Sequence, residues 1–188
     1  MMRKKLSEMS LEELWQLFPI FLTEHQKCWK EWYFEEEIRL KNVIPKCERI
    51  SHIGSTAVPF IWAKPIIDIL VEVPKGSHLL GYKDCIVNNG YICMSQGENR
   101  ASFNKGYTED GFAERVFHLH LRYAGDNDEL YFRDYLMENP QVAKDYEELK
   151  LRLWKEFEHN RDTYTEEKTE FVKKHTETAR ILYGNRYQ

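Results

Sequence analysis

His118 and His120 stand two residues apart in the stretch 115–123, which reads as a strand. At that spacing both imidazoles face one side, about 6.6 Å apart along the strand, while Phe117, Leu119 and Leu121 face the other. Such a pair can bind a metal or a phosphate, or can simply be the polar face of a half-exposed strand. Asp68 interrupts a second run, 66–73, that is apolar and largely β-branched apart from Asp68 and Glu72. A carboxylate in such a strand is costly to bury unless a cation or a donor meets it. If the two strands are neighbours, Asp68, His118 and His120 converge on one face as a single-metal site. Such a site keeps positions open for water and a phosphate oxygen.

Upstream lies His52-Ile53-Gly54-Ser55-Thr56-Ala57-Val58-Pro59, a strand end followed by a Gly-Ser turn. Gly54 opens backbone conformations closed to other residues. The amides of a tight turn, with the hydroxyls of Ser55 and Thr56, suit a phosphate oxygen, although many such turns are only turns. Lys64 and Arg115 are the basic residues nearest these motifs. Each can pair with a phosphate, the arginine in bidentate fashion, or can face solvent. His52 can hydrogen-bond the turn or reach the site.

The turn block, followed by Lys64-Pro65-Ile66-Ile67-Asp68-Ile69-Leu70, resembles the signature of the GrpB family, which belongs by fold to the nucleotidyltransferase superfamily. The similarity continues in Phe117-His118-Leu119-His120-Leu121, in Phe132-Arg133-Asp134-Tyr135-Leu136 and in 164–168. It implies an α/β (α+β) fold: a nucleotidyltransferase-like mixed β-sheet covered by helices, with a helical C-terminal segment. The resemblance further implies a nucleotide or phosphorylated small molecule as ligand. Gly54, Ser55, Thr56, Lys64 and Arg115 would then take phosphate, and Asp68 would be the catalytic, metal-holding acid. Tyr164 and Lys168 match the C-terminal block, four residues apart on one helix face, as either a lid or packing. Arg133 and Asp134 match as well and suit a buried structural ion pair.

Enzymes of that superfamily carry two acids two residues apart on the strand after the turn, a third on a neighbouring strand, and two magnesium ions. Here Leu70 occupies the second acid's place. Glu72 shares a face with Asp68 but lies about 13 Å along the strand, too far for metals about 3.5–4 Å apart. His118 and His120 fall where the third acid is expected; oxygen-only ligands suit magnesium, whereas added imidazoles suit zinc, manganese, iron or nickel. The cofactor expected is therefore one divalent metal (Mg, Mn or Zn), with no organic cofactor motif. Two functions follow. One is a metal-dependent transferase acting on a nucleotide or phosphorylated metabolite, which the His pair favours. The other is a non-catalytic nucleotide-binding or regulatory module with a degenerate site, which Leu70 favours. Phe60 stands where the family usually has glycine.

A chain of 188 residues suits one domain, divided into N-terminal helices (1–45), a sheet core (46–123) and C-terminal helices (124–188). The net charge of −4 carries no global nucleic-acid signal. No apolar run approaches the length of a membrane span. The basic start Met1-Met2-Arg3-Lys4-Lys5 is followed by Ser7-Glu8 and Glu12-Glu13 rather than a signal-peptide core, so a cytoplasmic protein is expected. Cys28, Cys47, Cys85 and Cys93 show no C-x-x-C spacing and read as free thiols.

The elements that must position these groups are legible in outline. Ser10-Leu11-Glu12-Glu13 is a capping box opening a helix near Leu11, which Pro19 is expected to interrupt or redirect. A helix is expected over 23–42, with Glu35-Glu36-Glu37 on a solvated face. Strands are expected over 49–53, 66–73, 91–95, 101–105 and 115–123, a helix over 78–88, and a polar loop over 106–114. Helices follow over 128–138 and from Pro140, where Asn139 caps and Val142, Tyr146, Leu149, Leu153 and Phe157 form an apolar stripe. A second capping box at Thr163-Tyr164-Thr165-Glu166 is expected to open the last helix, which runs to about Tyr183 before Gly184.

Overall fold

The computed structural model describes residues 4–188; the basic start at 1–3 lies outside the described residues. Five strands form one mixed sheet: β1 (Arg49–Ile53), β2 (Ile67–Val73), β3 (Ile92–Gln96), β4 (Arg100–Thr108) and β5 (Gly111–Tyr123). Their order is β1-β2-β5-β4-β3. β2 and β5 run parallel at the centre, and the other pairs are antiparallel. The parallel register sets Asp68 opposite His118 and Leu70 opposite His120.

The sheet has two unlike faces because side chains alternate along each strand. Ile67, Ile69, Val71, Phe117, Leu119 and Leu121 point to one side. There they pack against Trp29, Tyr33 and Leu40 of α2 (Cys28–Val43) and against Ile86 of α3 (Lys83–Val87). The other side carries Asp68, Leu70, His118 and His120. It faces four C-terminal helices: α4 (Asp128–Glu138), α5 (Pro140–Phe157), α6 (Arg161–Glu166) and α7 (Thr169–Tyr183). Leu70 is fully buried there with Ile53 and Leu130, so the second acid's position is a packing position. Glu72 is buried too, accepting from the Gly125 amide (3.0 Å) and Asn127 Nδ2 (2.9 Å) and lying 3.2 Å from Arg49.

The first capping box forms as expected. In α1 (Leu11–Leu17) the Ser10 hydroxyl accepts from the Glu13 amide while Glu13 accepts from the Ser10 amide. Several local expectations yield to tertiary contacts. α2 starts at Cys28 rather than near Thr23, because Thr23 pairs by both backbone groups with Ala63 and the Ile20 amide bonds to the Glu158 carbonyl. Glu36 is not on a solvated face: it is 1 % exposed and accepts from Tyr91 Oη, Lys105 Nζ and Arg39. The span 78–88 splits into a 3-10 turn (Leu79–Tyr82) and the short α3. Asn139 precedes Pro140 as expected, yet its side chain donates back to the Tyr135 carbonyl instead of capping. Thr163 lies inside α6, whose cap is Asn160, and the chain breaks before α7 restarts at Thr169.

The expected polar loop over 106–114 is instead the tip of a long β4–β5 hairpin. Gly106, at φ +91, sits in a register shift where a Cβ would collide with the Arg115 carbonyl. An irregularity of this kind re-aims the side chains beyond it. The four cysteines are free thiols, and among the described residues no helix is long and apolar enough to cross a membrane.

Candidate functional site

Asp68 sits where the sheet meets the C-terminal helices. Its Oδ1 lies 3.3 Å from His118 Nδ1 and 3.6 Å from His120 Nε2, and its side chain is 28 % exposed. The sequence joins these three residues on condition that their strands are neighbours, and β2 pairs with β5 in that way. Burial alone would raise the Asp68 carboxyl, but the contacts with the two imidazoles outweigh it and hold it well below the usual carboxylate range. The imidazoles close directly on the carboxylate. Among the described residues no group of three or more His, Cys, Asp or Glu side chains is arranged as a cage for a metal ion.

The Gly-Ser turn lies against the same carboxylate. Gly54 has φ +70 and ψ −174, a region essentially reserved for glycine. A Cβ there would strike Asp68 Oδ2. Ser55–Ala57 forms one 3-10 turn, in which the Ala57 and Val58 amides return to the turn's own carbonyls. The Thr56 hydroxyl donates to the Ile66 carbonyl (3.0 Å) and lies 3.0 Å from His52 Nε2. It therefore ties the turn to the start of β2. His52 stacks on Tyr33 at 4.8 Å and belongs to this brace rather than to the cavity lining. Burial pushes His52 down to about 4, against the pull of Asp68, so it is neutral near pH 7.

A cavity of about 240 Å³ opens between this turn and α5–α6. Three lysines and an arginine line it: Lys64, Lys150, Lys168 and Arg161; Asp68 is the acid among its lining residues. Lys64 and Lys168 lie over the Tyr164 ring at 5.2 and 4.1 Å, and Lys150 donates to the Trp62 carbonyl. Burial and the charges of Lys168 and Arg161 push the Lys64 ammonium down to about 7. Burial, with Lys168 close by, takes Lys150 down to about 7. Burial takes Lys168 to about 8, with Asp68 opposing. Buried cations repel one another unless an anion joins them. A second cavity of about 730 Å³ shares Gly54, Ser55, Asp68 and Lys168 with the first and extends past His120 and Arg133 between α4 and α7.

Other sequence-identified residues fall into place around this core. Tyr164 is buried with Ile20 and Leu153 and also lines the smaller cavity; Lys168 lies just beyond α6 with its ammonium over that ring. Arg133 pairs with Asp134 at 2.7 Å and donates to the His52 carbonyl at 2.8 Å. Arg115 lies away from the cavity, paired with Glu35 at 2.5 Å over the Trp32 ring. Phe60 has φ +67 and is 93 % exposed, a left-handed backbone that accounts for glycine at this place.

Three residues escaped the sequence reading. Lys150 interrupts the apolar stripe of α5 four residues after Tyr146, and a lysine on a buried helix face was a legible signal. Arg161 and Tyr107 carried none. Beyond the bulge at Gly106, Tyr107 Oη comes within 2.8 Å of His118 Nε2, and Arg161 Nη2 lies 3.1 Å from the same hydroxyl.

Comparison with known proteins accords with this geometry. The crystal structure of conserved protein GrpB from Enterococcus faecalis superposes with a TM-score of 0.73 at 34 % identity, covering 87 % of this chain and 99 % of that one. The Cid1 poly(U) polymerase, in a structure bound to MgATP, superposes with a TM-score of 0.50 at 9 % identity over 77 % of this chain and 46 % of its own. The fold is thus nucleotidyltransferase-like. Among sequences, the UPF0157 protein YqkA of Bacillus subtilis is 36 % identical over 156 residues, 81 % of this chain but 45 % of its own length. The glutamate-rich protein GrpB of Alkalihalophilus pseudofirmus is 35 % identical over 160 residues, 81 % of this chain and 91 % of that protein. The GrpB protein family model matches residues 19–178, and the chain belongs to the GrpB family.

Proposed function

We propose that this chain, acting as one domain, binds a nucleotide or another phosphorylated small molecule in the cavity beside the Gly54–Ser55 turn. One observation carries the reading: Lys64, Lys150, Lys168 and Arg161 converge on that cavity, with Asp68 the acid among its lining residues. A phosphate group supplies the negative charge that this cluster lacks. Ser55 and Thr56 of the turn line the same cavity. Lys64 and Lys168 were identified from sequence; Lys150 and Arg161 join them as phosphate contacts, whereas Arg115 is occupied by Glu35.

The likeness of the fold to a polymerase that binds MgATP supports a nucleotide as the ligand and nucleotidyl transfer as the reaction. In that reaction Asp68 is the acid nearest the phosphate cavity. A divalent metal, when bound, would polarise a phosphoryl oxygen. Asp68 and His120, which both line the larger cavity, are the donors to hold it.

A second reading is favoured by Leu70. With that position packed under α4, the strand offers one acid where two-metal enzymes use two, which suits a binding or regulatory module that does not turn substrate over.

Incubation of the purified protein with each nucleoside triphosphate and magnesium, manganese or zinc decides between them, with binding followed by calorimetry and pyrophosphate release by a coupled assay. Pyrophosphate release that is lost in Asp68→Asn supports transfer. Binding without release supports the module. Absence of binding by any triphosphate or by tripolyphosphate overturns the phosphate reading itself.

A further inference from the structure

The hydrogen bonds around Tyr107 have a direction. Its hydroxyl lies 3.1 Å from Arg161 Nη2 and 2.8 Å from His118 Nε2. A guanidinium has donors only and stays protonated in proteins. The Tyr107 oxygen therefore accepts from Arg161, and its single proton is available to the imidazole. His118 Nε2 is then the acceptor, which in a neutral imidazole requires the proton to sit on Nδ1. Nδ1 is the nitrogen that faces Asp68 Oδ1, at 3.3 Å. Protons are thus donated in one sense along the row, from Arg161 to Tyr107, to His118, to Asp68. A carboxylate only accepts, so the ring nitrogen facing Asp68 Oδ1 is the one that carries the proton, and the Tyr107 hydroxyl at Nε2 completes the row.

We propose that His118 is a positioning residue and not a metal ligand: Tyr107 caps its Nε2 lone pair, and its Nδ1–H orients the Asp68 carboxylate. A nitrogen ligates a metal through a lone pair. In this row one lone pair is engaged by the Tyr107 hydroxyl and the other nitrogen carries a proton. Asp68 and His120 are left as the donors that reach a bound ion, and the phosphate charge falls to the lysines. The identity of the donors rests on the phosphate-site reading above; the tautomer of His118 does not. Tyr107 and Arg161 become positioning residues as well, which links the arginine of the phosphate cavity to the orientation of Asp68.

The test is the protonation of the imidazole nitrogens in the full-length protein, read by long-range proton–nitrogen correlation NMR on nitrogen-15-labelled chain. His118 is expected as the Nδ1–H tautomer, unchanged on adding zinc. In Tyr107→Phe the cap is gone, and an Nε2–H population is expected to appear. Zinc calorimetry gives an independent arm. Asp68→Asn and His120→Asn are expected to weaken zinc binding by more than about tenfold. His118→Asn keeps an N–H donor near the position of Nδ1 and is expected to stay within about threefold of wild type, whereas His118→Ala, which lacks the donor, falls further. An Nε2–H tautomer or an imidazolium in the wild type overturns the proposal. So does a His118→Asn variant as weak for zinc as Asp68→Asn. Where the wild type takes up no zinc, the tautomer alone decides. Tripolyphosphate titration of the same samples tests the phosphate reading separately: its failure with the Nδ1–H tautomer intact removes that reading and leaves this one standing.

Discussion

A Cβ on Gly54 would collide with the Asp68 carboxylate. The turn and the acid are therefore one unit: the backbone can approach the carboxylate only because the residue at 54 has no side chain. Gly54 also holds a φ, ψ pair that costs other residues about 1–3 kcal/mol.

Gly54→Ala is expected to lose more stability than that backbone cost alone and to weaken phosphate binding, since either the turn or Asp68 must move. Gly76→Ala is the matched control, because Gly76 shares a positive φ (+93) with nothing within 4 Å of the added carbon. Urea unfolding of both variants, with tripolyphosphate titration, checks this. Equal losses of stability would remove the collision as the cause.

The lysine cluster predicts opposite pH trends for binding and for stability. Anion binding needs charged ammoniums, so tripolyphosphate affinity is expected to fall as pH rises from about 7 to 9, through the lowered values of Lys64, Lys150 and Lys168. In the unfolded chain these lysines keep their protons to about pH 10.4. Between roughly pH 7 and pH 10 these lysines bind more protons in the unfolded state, and their contribution to the stability of the ligand-free protein is expected to rise with pH across that window. Thermal unfolding with and without tripolyphosphate at pH 7 and pH 9 reads both trends. A ligand-induced shift in melting temperature that is larger at pH 9 would contradict them.

Lys150→Met should separate stability from binding. The lysine is 2 % exposed, and the buried Glu147 is the charge that opposes the loss of its proton. A methionine of similar length removes the lysine's charge but leaves the Trp62 carbonyl without its donor. The expected outcome is stability within about 1.5 kcal/mol of wild type and at least a tenfold loss of tripolyphosphate affinity. Chemical denaturation beside calorimetry measures both, and undiminished affinity would remove Lys150 from the site.

Restoring the missing acid should not restore a two-metal centre. Leu70→Asp places a carboxylate within the apolar cluster of Ile53 and Leu130. The loss of apolar packing alone is worth about 2–5 kcal/mol, and the buried charge adds to it. A sharp fall in melting temperature, with no gain in magnesium affinity, is the expected result. A stable variant that binds magnesium would show that α4 can open above this position.

Glu36 supplies a control far from the cavity. It anchors Tyr91 and Lys105 across α2 and the sheet. Glu36→Gln strands the Lys105 ammonium, which is partly shielded at 24 % exposure. A loss of about 2–3 kcal/mol in urea unfolding is expected, with tripolyphosphate affinity unchanged. A drop in affinity would place the network within the site's support.

What the sequence determined by itself was whatever local chemistry sets. The β-branched run from Ile66 to Val73 read as a buried strand, and alternation put His118 and His120 on one face, whereas Asp68 joins them only because β2 pairs with β5. Ser10 and Glu13 met within one turn of helix, so the start of α1 was legible to the residue. Gly54 announced a backbone that other residues avoid. Tertiary structure decided everything that depends on what approaches from far along the chain. Lys150 and Arg161 join the cavity beside the Gly-Ser turn because α5 and α6 fold back on a turn nearly a hundred residues earlier, and no local pattern encodes that approach. Glu36 left the solvated face because Tyr91 and Lys105 reached it from distant strands. Thr163 gave up a cap to Asn160 when α6 closed against Ile20 and Leu153. Tyr107 became a partner of His118 only through a register shift at Gly106, and a hairpin's irregularities are set by its pairing rather than by composition.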